Sequence, residues 1–225
     1  MNKMQLTDNN RKGVTLTITG IVIMILLTAT KVVPSSNIAG TAIFVGIAFF
    51  FITEAVTKKR GIESGLRFNT IAADLKNKGV ILWMLLPIVS AVVTLFLGKL
   101  IFKEEFLTHL MGRTDSMLSY DKIALLACQV IIAAFGEEIA FRGFFFGKSS
   151  EMFPVWLCAV VSSIIFAAGH IAIGNIGIVI YDVITVFIDS MIYSIVYHKS
   201  KNCVISTFSH ILANTTAIVL MLVLS

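Results

Sequence analysis

Seven apolar runs, most of them long enough to cross a bilayer, fix the kind of fold open to this chain. They cover residues 14–30, 38–56, 80–102, about 123 to beyond 148, 153–171, 176–197 and 203–224. A hydrocarbon core about 30 Å thick takes about 20 helical residues to cross, and backbone amides at that depth find their partners along the helix itself. The balance of residues agrees: 57% are hydrophobic and 14% charged, where soluble domains carry about 25% charged. The expected fold is all-α, a polytopic membrane bundle of about seven transmembrane helices with interfacial helices between them.

The connections carry their own signals. The run at 14–30 reads as a retained helix rather than a signal peptide, since it is long and no small-x-small cleavage site follows it. A turn at Pro34-Ser35-Ser36-Asn37 leads into the second span. A basic connection follows, from Lys58-Lys59-Arg60 to Arg67, Lys76 and Lys78, relieved by Glu63 and Asp74. Within it the spacing of Leu66, Phe68, Ile71 and Leu75 predicts a helix on the membrane surface. Pro87 predicts a kink in the third span. Phe106, Leu107, Leu110 and Met111 predict a second interfacial piece, and Pro154 opens the fifth helix.

Positive charge gathers at the N-terminus, between spans two and three, and at Lys199 and Lys201 after span six. The positive-inside rule then places the N-terminus in the cytoplasm and the C-terminus outside. The net charge of +5 sits in these loops, so it marks topology and not a nucleic-acid partner. Cys128, Cys158 and Cys203 fall in apolar runs with no CxxC spacing, which argues against a disulfide framework or a cysteine zinc site and reads as three core thiols. The short chain, its simple loops and the absence of a targeting extension point to a bacterial cell membrane.

The fourth run contains Gly136-Glu137-Glu138-Ile139-Ala140-Phe141-Arg142-Gly143. Each ionised group at bilayer depth costs about 2.5–3.5 kcal/mol on insertion scales, so such groups pair or face a polar cavity and mark function by default. Glu138 and Arg142 are four apart and share a helix face, while Glu137 lies one position round. Two readings follow. Either both glutamates tie Arg142 into the bundle, or Glu138–Arg142 is a structural pair that leaves Glu137 free to act; spacing alone does not choose.

Further polar groups follow in later runs: His170 at the end of span five, and His210 with Asn214 four residues on, sharing one face of span seven. Counted from a common membrane face near Ser150, Phe153 and Asn202, Glu137, His170 and His210 lie about 20, 25 and 12 Å deep at 1.5 Å per residue. All three depths fall inside the core, so one buried pocket could hold a carboxylate, two imidazoles and an amide.

Glu137-Glu138-x-x-x-Arg142, Phe166-x-x-x-His170 and His210-x-x-x-Asn214, in that order, resemble the three motifs of the CAAX-protease and bacteriocin-processing (CPBP, or Abi) family of intramembrane proteases. The resemblance covers about residues 120 to 225; the first three spans resemble nothing so definite. It implies an all-helical membrane enzyme that cleaves peptide bonds, with Glu137, His170, His210 and Asn214 as catalytic residues and Glu138 and Arg142 in support. On this reading 1–119 supplies N-terminal helices and interfacial segments, and 120–225 the catalytic core of one integrated membrane domain.

Amide hydrolysis needs an activated water, a stabilised oxyanion and a proton for the leaving amine. Glu137 with His170 suits the first task, and His210 with Asn214 the second. The expected cofactor is none. The rival is zinc held by Glu137, His170 and His210 with water in the fourth position, although the chain lacks HExxH. The expected partners are a peptide or membrane-protein substrate and the bilayer. Competing functions are a non-catalytic immunity or scaffold protein of the same fold, for which four intact site residues would be superfluous, and a proton-relaying transporter, for which paired repeats are missing.

Prenylated CAAX tails, bacteriocin or signalling-peptide precursors and self-immunity all fit the resemblance, and a bacterial setting favours peptide processing or export-linked maturation. Asp182 and Asp189, seven apart on span six, read as partners of Lys or Arg or as cavity lining, with Asp189 altering access to the pocket. Gly143-x-x-x-Gly147 reads as a close helix contact.

Overall fold

The computed structural model describes residues 3–32, 40–58, 64–77, 79–114 and 118–224, and every regular element among them is helical. In chain order they are α1 (Lys3–Ala29, followed by a single 3-10 turn at Thr30–Val32), α2 (Thr41–Thr57), α3 (Ile71–Asp74), α4 (Val80–Phe102), α5 (Glu104–Thr114) and α6 (Ile123–Glu137). The chain then winds as a π-helix over Glu138–Phe146 and closes that rod with α7 (Gly147–Ser149). α8 (Val155–Ala168), α9 (Ile176–Ser200) and α10 (Cys203–Leu224) complete it. The expected turn at 34–37 lies outside the described residues, as do Lys59, Arg60, Glu63 and Lys78.

Among the described residues, five helices are long and apolar enough to cross a membrane: Asp8–Ala29, Val80–Phe102, Ile123–Ser149, Ile176–Ser200 and Cys203–Leu224. The other two expected spans are shorter apolar helices, Thr41–Thr57 and Val155–Ala168, about 26 and 21 Å long at 1.5 Å per residue. Length and composition therefore support five of the seven expected crossings. Outer faces are rich in exposed large side chains, among them Leu100, Ile132, Trp156 and Val223. Such a surface would drive association in water and is at home against acyl chains.

The π-helix is the hub. All nine of its residues are buried, and it packs against α2, α8, α9 and α10. Close approach depends on small residues: a Cβ on Gly46 of α2 would stand 2.6 Å from the Ala140 Cβ, and one on Gly143 would stand 2.8 Å from the Cys203 Sγ. One on Gly147 would stand 2.8 Å from the Tyr197 hydroxyl, so the Gly143-x-x-x-Gly147 pair does serve packing. Around this hub Met24, Phe50, Phe141, Phe144 and Phe166 form one apolar cluster. Leu95, Phe106, Leu107, Leu126 and Ile218 form a second, between α4, α5, α6 and α10.

Two ion-pair networks tie the ends of the rods together. Lys148 meets Glu54 of α2 at 2.9 Å, and Glu54 also accepts from the Ser64 hydroxyl and, at 3.1 Å, from the Gly65 amide. The Arg67 guanidinium donates to Asp74 at 3.0 Å and to the Ser200 carbonyl at 2.8 Å, and Asn202 donates to Asp74 at 2.8 Å. Burial pushes the Asp74 carboxyl up, but hydrogen bonds from Thr70, Asn202 and Arg67 outweigh it and hold the carboxyl below its ordinary value.

Several sequence expectations change. The surface helix through Leu66, Phe68, Ile71 and Leu75 is a single turn, Ile71–Asp74, because the polar network around Arg67 and Asn202 sets the preceding backbone. The piece expected at the interface is α5, whose Phe106, Leu107 and Leu110 are buried in the bundle. Cys158 and Cys203 are buried free thiols, but Cys128 is exposed on the outer face of α6 and is no core residue. The fourth span is one rod of 27 residues, yet it is not uniformly α-helical.

Candidate active site

The site is built where the fourth rod changes its winding. Glu137 closes α6 and Glu138 opens the π-helix, a local widening that occurs often at functional sites. Glu138 is fully buried and its Oε1 lies 3.3 Å from Arg142 Nη1, so the pair expected from i, i+4 spacing is present. Arg142 is buried to the same degree. Its Nη2 donates to the Ser190 carbonyl at 3.1 Å and to the Ser190 hydroxyl at 2.7 Å. Its guanidinium carbon lies 4.5 Å from the Phe166 ring centroid and 5.2 Å from that of Tyr193, both within reach of a cation–π interaction. The cation is thus neutralised, hydrogen-bonded and sandwiched, which is how a charge survives at this depth.

His210 joins both glutamates. Its Nδ1 is 3.0 Å from Glu138 Oε1, and its Nε2 is 3.7 Å from Glu137 Oε2. The ring stacks on Tyr193 with centroids 4.5 Å apart and planes at 20°, and presents an edge to Phe166. The carboxylate that Arg142 holds therefore aims His210. Sequence spacing revealed the Glu138–Arg142 pair but not this third member, 72 residues away.

His170 sits in the turn after α8, and its Nδ1 lies 2.9 Å from the Phe166 carbonyl. A carbonyl can only accept, so Nδ1 carries the hydrogen and Nε2 of the neutral ring keeps a lone pair. Glu137, His170, His210 and Asn214 all line one cavity of about 290 Å³ that also touches Thr28, Gly40 and Ile43 from α1, α2 and the segment before it. A second cavity, of about 120 Å³, adjoins it and shares His170, His210 and Asn214 as a common wall.

Asp182 and Asp189 both reach that smaller cavity. Asp182 is paired, as one reading of the sequence expected: both its oxygens lie 2.6 Å from Arg113 Nη1, and His109 Nε2 lies 3.2 Å away. Arg113 and His109 of α5 were not visible as site residues in the sequence. Their helix read as interfacial, and nothing local links Arg113 to a carboxylate 69 residues on.

Among the described residues, no group of three His, Cys, Asp or Glu side chains is placed to hold a metal ion. The alternative zinc set of Glu137, His170 and His210 is thus not assembled as a ligand cage among the described residues.

No curated protein and no solved structure matches the chain. Residues 119–216, which hold all three motifs, do match a family model, that of the Rce1-like type II CAAX prenyl endopeptidases, and the resemblance to CAAX-type proteases is thereby shown for that segment.

Proposed function

We propose that the protein is an intramembrane endopeptidase that hydrolyses a peptide bond in a membrane-associated peptide or protein precursor. The single observation that carries this reading is the convergence of Glu137, His170, His210 and Asn214 on one cavity inside a bundle whose second half matches a CAAX-type protease family. Segment 120–225 acts as the catalytic core, and the helices of 1–119 enclose it within one membrane domain. All seven apolar helices cross the bilayer on this reading, with α2 and α8 as the short ones and the N-terminus in the cytoplasm of a bacterial cell.

The chemistry follows from the proton inventory. Water enters between the Glu137 carboxylate and the free Nε2 of His170, and Glu137 takes one of its protons. The hydroxide adds to the substrate carbonyl carbon. The resulting oxyanion accepts a hydrogen bond from the Asn214 amide and one from His210 Nε2–H. Because Nδ1 of His210 already faces Glu138, donation at Nε2 requires a ring carrying a proton on each nitrogen. The carbon–nitrogen bond then breaks as Glu137 returns its proton to the amine. One oxyanion donor is worth about 3–4 kcal/mol in the transition state. Glu138 and Arg142 position His210 without touching substrate, and no cofactor takes part.

The test compares secreted and membrane-bound peptides from cells carrying wild-type protein or Glu137→Ala. A fragment present only with wild type supports hydrolysis and identifies the substrate. Identical peptide profiles would turn the reading toward a binding module of the same fold.

A further inference from the structure

The catalytic wall separates two cavities, and only the larger one reaches Glu137. The smaller, of about 120 Å³, carries Thr94, Thr185 and Asp189 in its lining beside the shared His170, His210 and Asn214. A carbonyl seated against His210 and Asn214 places an adjacent substrate side chain at the mouth of this second space.

Its charges do not balance. Arg113 also lines it, but both Asp182 oxygens bond Arg113 Nη1. Arg142 is held by Glu138 and Ser190. Asp189 has Ser90 as a hydrogen-bonding neighbour, yet its Oδ1 is buried with no hydrogen-bond partner, and among the described residues no cation forms a salt bridge with it. An incompletely satisfied carboxylate in such a place is costly, and a donor arriving with the ligand would complete it.

We infer that the smaller cavity is a side-chain subsite in which Asp189 receives a basic residue, Lys or Arg, flanking the scissile bond. This inference rests on the endopeptidase reading for the position of the bond, and it adds the class of sequence that the enzyme cuts. Asp189 binds substrate and takes no part in bond making or breaking. The subsite selects by leaving the carboxylate unpaired when a neutral side chain enters.

The experiment digests a random peptide library bearing an acyl anchor with the purified protein in detergent, and mass spectrometry locates the cuts. Lys or Arg should be enriched at one position beside the cut. Replacing that lysine by norleucine in the best peptide should lower kcat/KM about 10- to 100-fold, the range of a hydrogen bond to a charged group. In D189N, shown to be folded by its thermal transition, the ratio between the two peptides should shrink to about threefold or less. Cuts without basic enrichment, or a preference that survives D189N, overturn the subsite.

Binding of the same two acylated peptides to E137A separates this inference from the one beneath it. Preference for lysine that is lost in E137A/D189N supports the subsite even where no peptide is cut by wild type and the endopeptidase reading fails. Equal binding of the lysine and norleucine peptides overturns the subsite whether or not hydrolysis is seen.

Discussion

His210 shows how one side chain is fixed from four sides: Glu138 at Nδ1, Glu137 near Nε2, Tyr193 beneath and Phe166 at the edge. Removing the cation behind this arrangement should undo it. R142M leaves Glu138 buried beside no guanidinium, so we expect a loss of about 3–5 kcal/mol, measured as reversible unfolding in detergent, together with loss of activity in whatever protein remains folded. Y193F keeps the ring under His210 and should retain most activity, whereas Y193A should not. Asp74 gives a pH signature. Its folded carboxyl lies below the ordinary 3.8, so its contribution is complete above that value and is lost as the pH falls through the lower folded value. D74N should cost about 1–3 kcal/mol at neutral pH and flatten the acid limb of the stability curve. At this scale the sequence discloses partners only when they are one helical turn apart. Glu138–Arg142 could be read, while Glu138–His210 and Lys148–Glu54, 72 and 94 residues apart, depend on how the rods meet.

Among the elements, the π-wound stretch after Glu137 had no counterpart in the sequence reading, since the apolar pattern of 138–146 suits an α-helix equally well. Its neighbours approach closely through glycine, Gly46 on α2 and Gly143 within the stretch itself. Gly46 and Gly136 make a contrasting pair. A Cβ at Gly46 meets the backbone of Ala140 at 2.9 Å, while one at Gly136 meets only Ile43 and Ile47 side chains at 3.5 Å. G46A should therefore destabilise by about 1–3 kcal/mol through overpacking. G136A should be neutral or stabilise by up to about 1 kcal/mol through helix propensity, as thermal unfolding would report. α5 is pinned to α9 by the Arg113–Asp182 pair at 2.6 Å, and R113A should raise hydrogen exchange along 104–114 while leaving α2 protected.

For the whole molecule, hydropathy served well where a rod is long and apolar throughout. α4 and α10 begin and end where the sequence placed them, at Val80–Phe102 and Cys203–Leu224. It served less well for the surface helix, where the Asn202 side chain satisfies the backbone N–H and C=O of Arg67 and Thr70 donates to the Asp74 carboxylate, bonds that no periodicity encodes. The positions of the candidate site residues along the chain were legible from three short motifs. That Glu138 serves His210, and that α5 closes the cavity with Arg113, follows only from packing. The central claim is that Glu137 moves the proton that allows water to cut a peptide bond in this cavity. The most direct measurement is single-turnover cleavage of an identified substrate peptide by purified wild type and E137Q. The account predicts that E137Q binds the peptide with similar affinity and cuts it at least about 100-fold more slowly, the low end for a general base; cleavage within a few-fold of wild type would contradict it.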